Sequence, residues 1–369
     1  MSSFSNFNLL STLQETLQEK KISVPTEIQN RVLPILLKGQ SLVGVSETGS
    51  GKTLAFALPI LQILKKIETD GQPVSVDSHP RAAIIVPTRE LGEQVSKVLK
   101  EFTHTTRLRV RTVLGGTTLE VAKRNIKGPL EILVATPGRL VQLMDRGLIS
   151  LSDVQILVFD EADQMLDKGF ISDANKIVSA CKENAQLILF SATISPNVQA
   201  LINKLFVGVE VIRSKGSSKV VPTLSTVNKN VLDGDRFSLL EKILAKQVTG
   251  GTLIFTNTRN QCDALANLLT KKGHKCLIYR GEMDKVKRRA NLKAFRNGDI
   301  ELLISTDLGS RGLDVDHVSR VINYHLPKEM ENYLHRVGRT ARAGRKGQVI
   351  NLVTDRDGSL VAKLGSVKS

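Results

Sequence analysis

The sequence predicts an α/β protein: two parallel-sheet domains joined by a short linker. Three observations carry that expectation. Short apolar runs alternate with longer amphipathic stretches, the rhythm that βαβ units produce. The rhythm falters once, between Arg213 and Leu224, where Ser-Lys-Gly-Ser-Ser-Lys leads towards Pro222, and then restarts on a comparable plan. At 369 residues the chain is also long for one hydrophobic core. The expected divisions are 1–212, a linker over 213–224, and 225–369.

Taken in order, Ser41 to Val45 reads as a short buried strand, and Leu54 to Leu58 as the first turns of a helix. Between them lies Ser46-Glu47-Thr48-Gly49-Ser50-Gly51-Lys52-Thr53. A Gly-rich turn of this kind aims backbone N–H groups and a helix N-terminus at one spot, which suits phosphate oxygens. Lys52 would bring a point charge to the β- and γ-phosphates, and Thr53 a hydroxyl for Mg²⁺. The strict pattern has Gly where this chain has Ser46, and an ordinary Gly-rich loop is the bland alternative.

Glu68 to Pro80 reads as a polar surface loop. Further strands are expected at Ala82 to Val86, Arg109 to Leu114, Ile132 to Ala135, Ile156 to Phe159 and Leu187 to Phe190. After the linker they are expected at Thr252 to Phe255, Lys275 to Tyr279, Leu302 to Ser305, Val318 to Asn323 and Gly347 to Val353. No second Gly-rich phosphate loop follows any of these.

The strand Ile156 to Phe159 runs straight into Asp160-Glu161-Ala162-Asp163. That puts carboxylates at the carboxyl edge of a parallel sheet, where ligands bind. Asp160 suits a Mg²⁺ opposite the phosphate loop, and Glu161 suits orienting or deprotonating a water. Alone, the stretch equally suits the acidic first turn of a helix.

Composition narrows the partners. The formal charge is +16, which favours a polyanion. Aromatic residues make up 4% and Trp is absent, so backbone contact is expected over base stacking. No run approaches a membrane span and no signal peptide is visible, so the expectation is no membrane and a cytoplasmic location. Cys181, Cys262 and Cys276 lack metal-ligand spacing and read as buried thiols.

The motifs in order carry a resemblance. They are Pro25-Thr26-Glu27-Ile28-Gln29, the phosphate loop, Pro87-Thr88-Arg89-Glu90-Leu91, Gly115-Gly116, Thr136-Pro137-Gly138-Arg139, Asp160-Glu161-Ala162-Asp163 and Ser191-Ala192-Thr193. Beyond the linker come Phe255-Thr256-Asn257-Thr258, Ser305-Thr306-Asp307, Arg311-Gly312-Leu313-Asp314 and His335 to Gly344. The chain resembles the DEAD-box ATP-dependent RNA helicases over nearly its whole length.

The resemblance implies two RecA-like domains, ATP with Mg²⁺ as cofactors, and RNA as partner. It implies nucleotide contact from Phe4, Ile22, Gln29, Ser46, Thr48, Gly49, Ser50, Gly51, Lys52, Thr53 and Asp314, with Mg²⁺ on Thr53 and Asp160. Gln29 would read the adenine edge. Lys52, Glu161 and the arginine fingers Arg339 and Arg342 would carry catalysis, the fingers coming from the second domain. Arg336 is expected nearer the role of a basic RNA-binding residue. RNA contact is implied for Thr88, Arg89, Gly116, Thr136, Gly138 and Arg139 on the first domain. On the second it is implied for Thr258, Arg288, Thr306, Asp307 and Gly309. Asp163, Ser191, Thr193 and His335 would couple hydrolysis to domain closure.

Departures from the family pattern are local: Lys21 and Ile22 for Gly and an aromatic, Arg280 for His, Lys285 for Gln and His325 for an acid. The chain is expected to act as a monomer, either on RNA generally or with protein partners that supply the target. A DNA-dependent motor, a non-enzymatic RNA clamp or annealer, and a P-loop kinase are the rival readings; a kinase would need a phosphate-acceptor site and would not explain Arg339 and Arg342 in a second domain. The clamp would be marked by loss of Lys52, Asp160, Glu161 or Arg342, and all four are present.

Overall fold

The computed structural model describes residues 3–47, 49–167, 169–214, 224–232, 234–307, 315, 317–340, 347–358 and 360–362. The chain forms two compact units, 1–217 and 218–369.

The first unit is built on seven strands: β1 Leu42–Val45, β2 Ala82–Ile85, β3 Val110–Val113, β4 Ile132–Ala135, β5 Ile156–Phe159, β6 Gln186–Ser191 and β7 Glu210–Arg213. Their order is β3-β4-β2-β5-β6-β1-β7, and every pairing is parallel. Parallel strands need crossovers, and the crossover helices cover both faces. That is why the inner strands are continuously apolar. Ile156 and Val158 enter the core on one face, Leu157 and Phe159 the core on the other. Gly44 in β1 answers to packing: a Cβ there would come within 2.4 Å of the Phe190 ring.

Among its described residues the second unit has six strands: β8 Leu224–Asn230, β9 Gly251–Thr256, β10 Cys276–Tyr279, β11 Leu302–Thr306, β12 Val318–Asn323 and β13 Gly347–Val353. Their order is β10-β11-β9-β12-β13-β8, again all parallel. Numbered from its own first strand, each sheet reads 3-4-2-5-6-1, and the first unit adds β7 beside its strand 1.

The strands expected from periodicity are present, with ends shifted by one residue at most. Two strands were not expected, β7 and β8. They flank the expected linker: Arg213 closes β7 against Val45, and Leu224 opens β8 against Gly347. Residues 215–223 between them lie outside the described residues. Among the described residues, no helix is long and apolar enough to cross a membrane.

Candidate active site

The loop after β1 leads into the helix Lys52–Thr69. Gly49 and Gly51 have φ of 88° and 92°, a left-handed region that glycine enters without steric cost. Gly51 is the N-cap, and no side chain caps that helix, so its N-terminal N–H groups face the loop. Ser46 is buried; its N–H donates to the Ser191 carbonyl at 3.0 Å, and its hydroxyl accepts from Ser50 at 3.0 Å. Lys52 is buried, and its ammonium donates to the Ser46 carbonyl at 3.0 Å. Burial pushes the Glu47 carboxyl up to about 7, with Lys52 acting against the shift.

Gln29 sits at the third position of the helix Glu27–Leu36, in a capping box with Thr26. Its Oε1 accepts from the Thr26 N–H at 2.8 Å, and its Nε2 donates to the Gly51 carbonyl at 2.9 Å. One amide thus ties the upstream helix to the phosphate loop. A Cβ on Gly51 would lie 2.5 Å from that Nε2. Phe4 is buried in the core of this unit, and Ile22 packs partly buried against the same cluster. Lys21 has φ 56°, which explains why glycine suits that place in the family pattern.

Asp160 follows β5 directly and is 2% exposed. Burial pushes its carboxyl up to about 7; Lys52 acts against the shift, and Glu161 and Asp163 reinforce it. Glu161 has φ 53°, strained for a residue with a Cβ. Its carboxylate accepts from Gln164 Nε2 at 2.7 Å, so Gln164, which motif reading passed over, fixes its direction. Asp163 binds the turn after β6. It accepts from the N–H groups of Ala192 and Thr193, both at 3.0 Å, and from the Thr193 hydroxyl at 3.3 Å. Ser191 Oγ accepts from the Asp163 N–H at 3.2 Å and donates to the Thr193 carbonyl at 2.7 Å. The three residues of this unit expected to couple hydrolysis to closure are therefore one hydrogen-bonded group.

The sheet order separates the expected nucleotide and RNA residues. Nucleotide residues follow β1 and β5, with the coupling turn after β6 between them; RNA residues follow β2, β3 and β4 on the other half of the same edge. Thr88 caps the helix Arg89–Thr106, accepting from the Leu91 N–H at 3.2 Å. Arg89 pairs with Glu93 at 2.8 Å. Thr136 Oγ1 accepts from the Gly115 N–H at 2.9 Å, and Gly116 has φ 83°. Arg139 donates to Gln142 at 2.6 Å and to the Thr117 carbonyl. Gly138 lies in the helix Pro137–Met144 after β4.

In the second unit, Thr258 caps the helix Arg259–Lys271 in a capping box with Gln261. Arg288, on the helix Lys285–Asn297, lies over the Tyr279 ring, 5.6 Å from its centroid. Thr306 ends β11 and Asp307 follows it. Here the expectation for Arg336 is corrected. It is 1% exposed, so its guanidinium is turned into the unit rather than offered on a basic surface. Its guanidinium is bidentate to Asp307 at 2.5 and 2.8 Å, donates to Asn257 Oδ1 at 2.8 Å, to Asn323 Oδ1 at 3.2 Å and to the His325 carbonyl at 2.6 Å. It also covers the Phe255 ring at 5.0 Å. Five polar contacts and a ring offset the cost of burying the charge. Arg336 fastens the ends of β9, β11 and β12 to the helix Met330–Val337. Asp307 is the other half of that fastening.

Arg339 is 2% exposed, and its Nε donates to the His335 carbonyl at 3.0 Å; His335 is itself buried. Burial, with Arg236 and Arg336 nearby, pushes the His325 imidazole down to about 4. Arg280, another departure of this unit, makes a two-pronged pair with Asp263 at 3.0 and 2.9 Å. Thr48, Gly309, Asp314 and Arg342 lie outside the described residues.

A phosphate loop, an acid pair and a Ser-x-Thr turn share one edge of a parallel sheet, and a second sheet repeats the strand order. Fold and site define a nucleotide-dependent protein of the RecA-like class. A family model described as DEAD/DEAH box helicase matches residues 26–201, and one described as Helicase conserved C-terminal domain matches residues 235–344. The DEAD-box ATP-dependent RNA helicase RhpA of Helicobacter pylori (strain B128) is 34% identical over 352 residues, covering 95% of this chain and 70% of that protein. The DEAD-box ATP-dependent RNA helicase CshA of Geobacillus kaustophilus is 32% identical over 357 residues, covering 97% and 74%. A structure of S. cerevisiae Dbp5 bound to RNA and ADP BeF3 superposes with a TM-score of 0.87 at 28% identity, covering 100% of this chain and 93% of that one. The chain belongs to the DEAD-box ATP-dependent RNA helicases, a family that hydrolyses ATP.

Proposed function

We propose that the first unit binds ATP on the loop 46–53, and that hydrolysis by water is coupled to clamping of RNA by both units. One observation carries this reading above the others. Asp160 is a carboxyl that burial pushes up to about 7, with the charge of Lys52 on the phosphate loop acting against the shift. Such a group is costly to ionise unless a cation joins it. Among the described residues no group of three metal-ligating side chains exists. That fits Mg²⁺, which takes one or two protein ligands and completes its shell with water and phosphate oxygens. Thr53 and Asp160 are the ligands we assign. Bound there, the ion would neutralise charge developing on the phosphates.

The chain's own residues would do the rest. Lys52 holds the phosphates, and Glu161, aimed by Gln164, orients the water and takes its proton. Arg339 and Arg342 supply charge to the γ-phosphate once the units close. RNA lies on the ends of β2, β3 and β4 and of β9, β10 and β11, held through sugar and phosphate. Such contact carries no base sequence, while contact to the 2′-OH separates RNA from DNA. A bent, clamped strand opens a few base pairs locally. Binding of ATP and of RNA to one closed state makes each raise the affinity of the other. The yeast protein's structure with RNA and ADP BeF3 supports this reading.

The test is steady-state ATPase of the purified chain with Mg²⁺, alone, with RNA, and with DNA of one sequence. Stimulation by RNA alone is expected. Equal stimulation by DNA would favour the DNA motor, and no ATPase under any condition would favour the passive clamp.

A further inference from the structure

We propose that the second unit holds a small carboxylate at the amino edge of its sheet, anchored by the guanidinium of Arg320. A cavity of about 300 Å³ opens there, beside Thr252 near the start of β9, Leu302 at the start of β11 and Arg320 on β12. The residues assigned to RNA stand at the opposite, carboxyl ends of β9 and β11. This site is therefore separate from the one already described.

The argument rests on an uncompensated charge. Arg320 is 3% exposed. Its Nε donates to Thr252 Oγ1 at 3.1 Å, and its Nη1 to the carbonyls of Ile243 and Lys246 at 3.0 and 2.8 Å. Those carbonyls end the helix Arg236–Leu244 and offer only the partial charge of a helix C-terminus. Among the described residues, Nη2 donates to no group and no carboxylate pairs with Arg320. Burial pushes its pKa down, and no charged neighbour acts against that. The same unit shows how it treats a buried guanidinium it keeps for structure: Arg336, buried to the same degree, is given the bidentate carboxylate of Asp307. Arg320 has the cavity where Arg336 has its acid.

The lining selects the ligand. One guanidinium with one nitrogen to spare matches a single negative charge. Glu301 stands in the same wall and disfavours a second. Gln247 and His274 also line the cavity and can donate to the second carboxylate oxygen. The volume lies at the small end of ligand pockets, so the ligand is a free acid of few carbons rather than a nucleotide.

The test is an amide NMR titration of the full chain with sodium acetate, with sodium chloride and inorganic phosphate at matched ionic strength as controls. Saturable shifts at Gln247, Thr252 and His274 are expected with acetate. Arg320→Met should weaken acetate by about ten-fold or more, the scale of losing a charge-assisted hydrogen bond. Glu301→Gln should tighten it by about three-fold, the scale of one solvent-exposed charge. The proposal is overturned if acetate gives no saturation, if chloride or phosphate gives the same shifts, or if Arg320→Met binds unchanged. Should Arg320→Met fail to fold, Glu301→Gln decides, and unchanged acetate affinity in that variant overturns the proposal.

Discussion

β1 and β8 occupy the same slot in sheets of the same strand order, and they differ in almost everything else. β1 is buried along its length and paired on both sides, by β6 and β7. β8 is an edge strand, largely exposed and polar, paired among the described residues with β13 alone. Beyond β1 the helix N-terminus has Gly51 as N-cap and no side chain across it. Beyond β8 the helix Arg236–Leu244 has Asp235, whose carboxylate accepts from the Ser238 N–H at 3.0 Å. A carboxylate fills the place that a phosphate would take. Charge divides as well. Residues 218–369 hold 27 Lys and Arg against 15 Asp and Glu, a net +12 of the chain's +16. One topology thus carries two outfits, the Gly-rich loop in the first unit and most of the surplus positive charge in the second.

The sharpest break of that comparison uses one residue from each unit. Lys52→Ala should abolish ATP binding, measured with a fluorescent ATP analogue. Arg342→Ala should leave binding nearly intact and lower RNA-stimulated ATPase by ~10³-fold or more, the scale of an arginine finger. Equal loss of binding in both variants would make Arg342 a binding residue and end the finger assignment.

Glu161→Gln should come next. ATP still binds, the ATPase rate falls by ~10²-fold or more as expected for loss of a general base, and the RNA complex lives longer. Near-normal turnover in the purified variant would remove Glu161 from that role.

Arg336→Met tests structure rather than chemistry in the second unit. It leaves Asp307 without its cation, and breaking such a pair costs about 3–5 kcal/mol. In chemical denaturation the transition of the second unit should move and that of the first should not. A shift under 1 kcal/mol, roughly the value of an exposed pair, would deny Arg336 its fastening role.

The units should also respond to pH in opposite directions. Asp160 stands at about 7 when folded against an ordinary 3.8, so folding favours its protonated form. The stabilisation it contributes is full below about 4 and is lost as pH rises through about 7. Glu47 acts in the same sense. His325 stands at about 4 against an ordinary 6.5, so folding favours its neutral form. Its contribution is full above about 6.5 and is lost as pH falls through about 4. Denaturation midpoints of Asp160→Asn and His325→Gln, followed from pH 4 to 8, should each flatten one limb only.

The smallest effect belongs to the caps. Asp235→Ala should cost the second unit about 1 kcal/mol, the usual value of an N-cap. Gly51→Ala forces a Cβ against Gln29 and should instead weaken ATP binding. If Asp235→Ala gained a phosphate site, measured by titration with inorganic phosphate, the account of the two N-termini would fail.

Most of the strand plan was legible because inner parallel strands are apolar on both faces and stand out from their connections. β7 and β8 were not legible for the converse reason: edge strands half in water, such as Glu210-Val211-Ile212-Arg213 and Leu224-Ser225-Thr226-Val227-Asn228-Lys229-Asn230, read as loop. Arg336 was misjudged because a basic residue among basic residues looks like a surface. Its acceptors, Asp307, Asn257 and Asn323, lie 29, 79 and 13 residues away in sequence.

By itself, the sequence determined the two α/β units, the phosphate loop, the acid pair after β5 and the family, because each is written in local spacing or composition. The tertiary structure alone decided which side chains are held by which. It tied Gln29 to Gly51, aimed Glu161 with Gln164, gave Arg336 its acid and left Arg320 without one. Those are outcomes of strand order. A parallel sheet brings together strand ends that are remote along the chain, and the partner of a buried charge is whichever residue that order sets beside it.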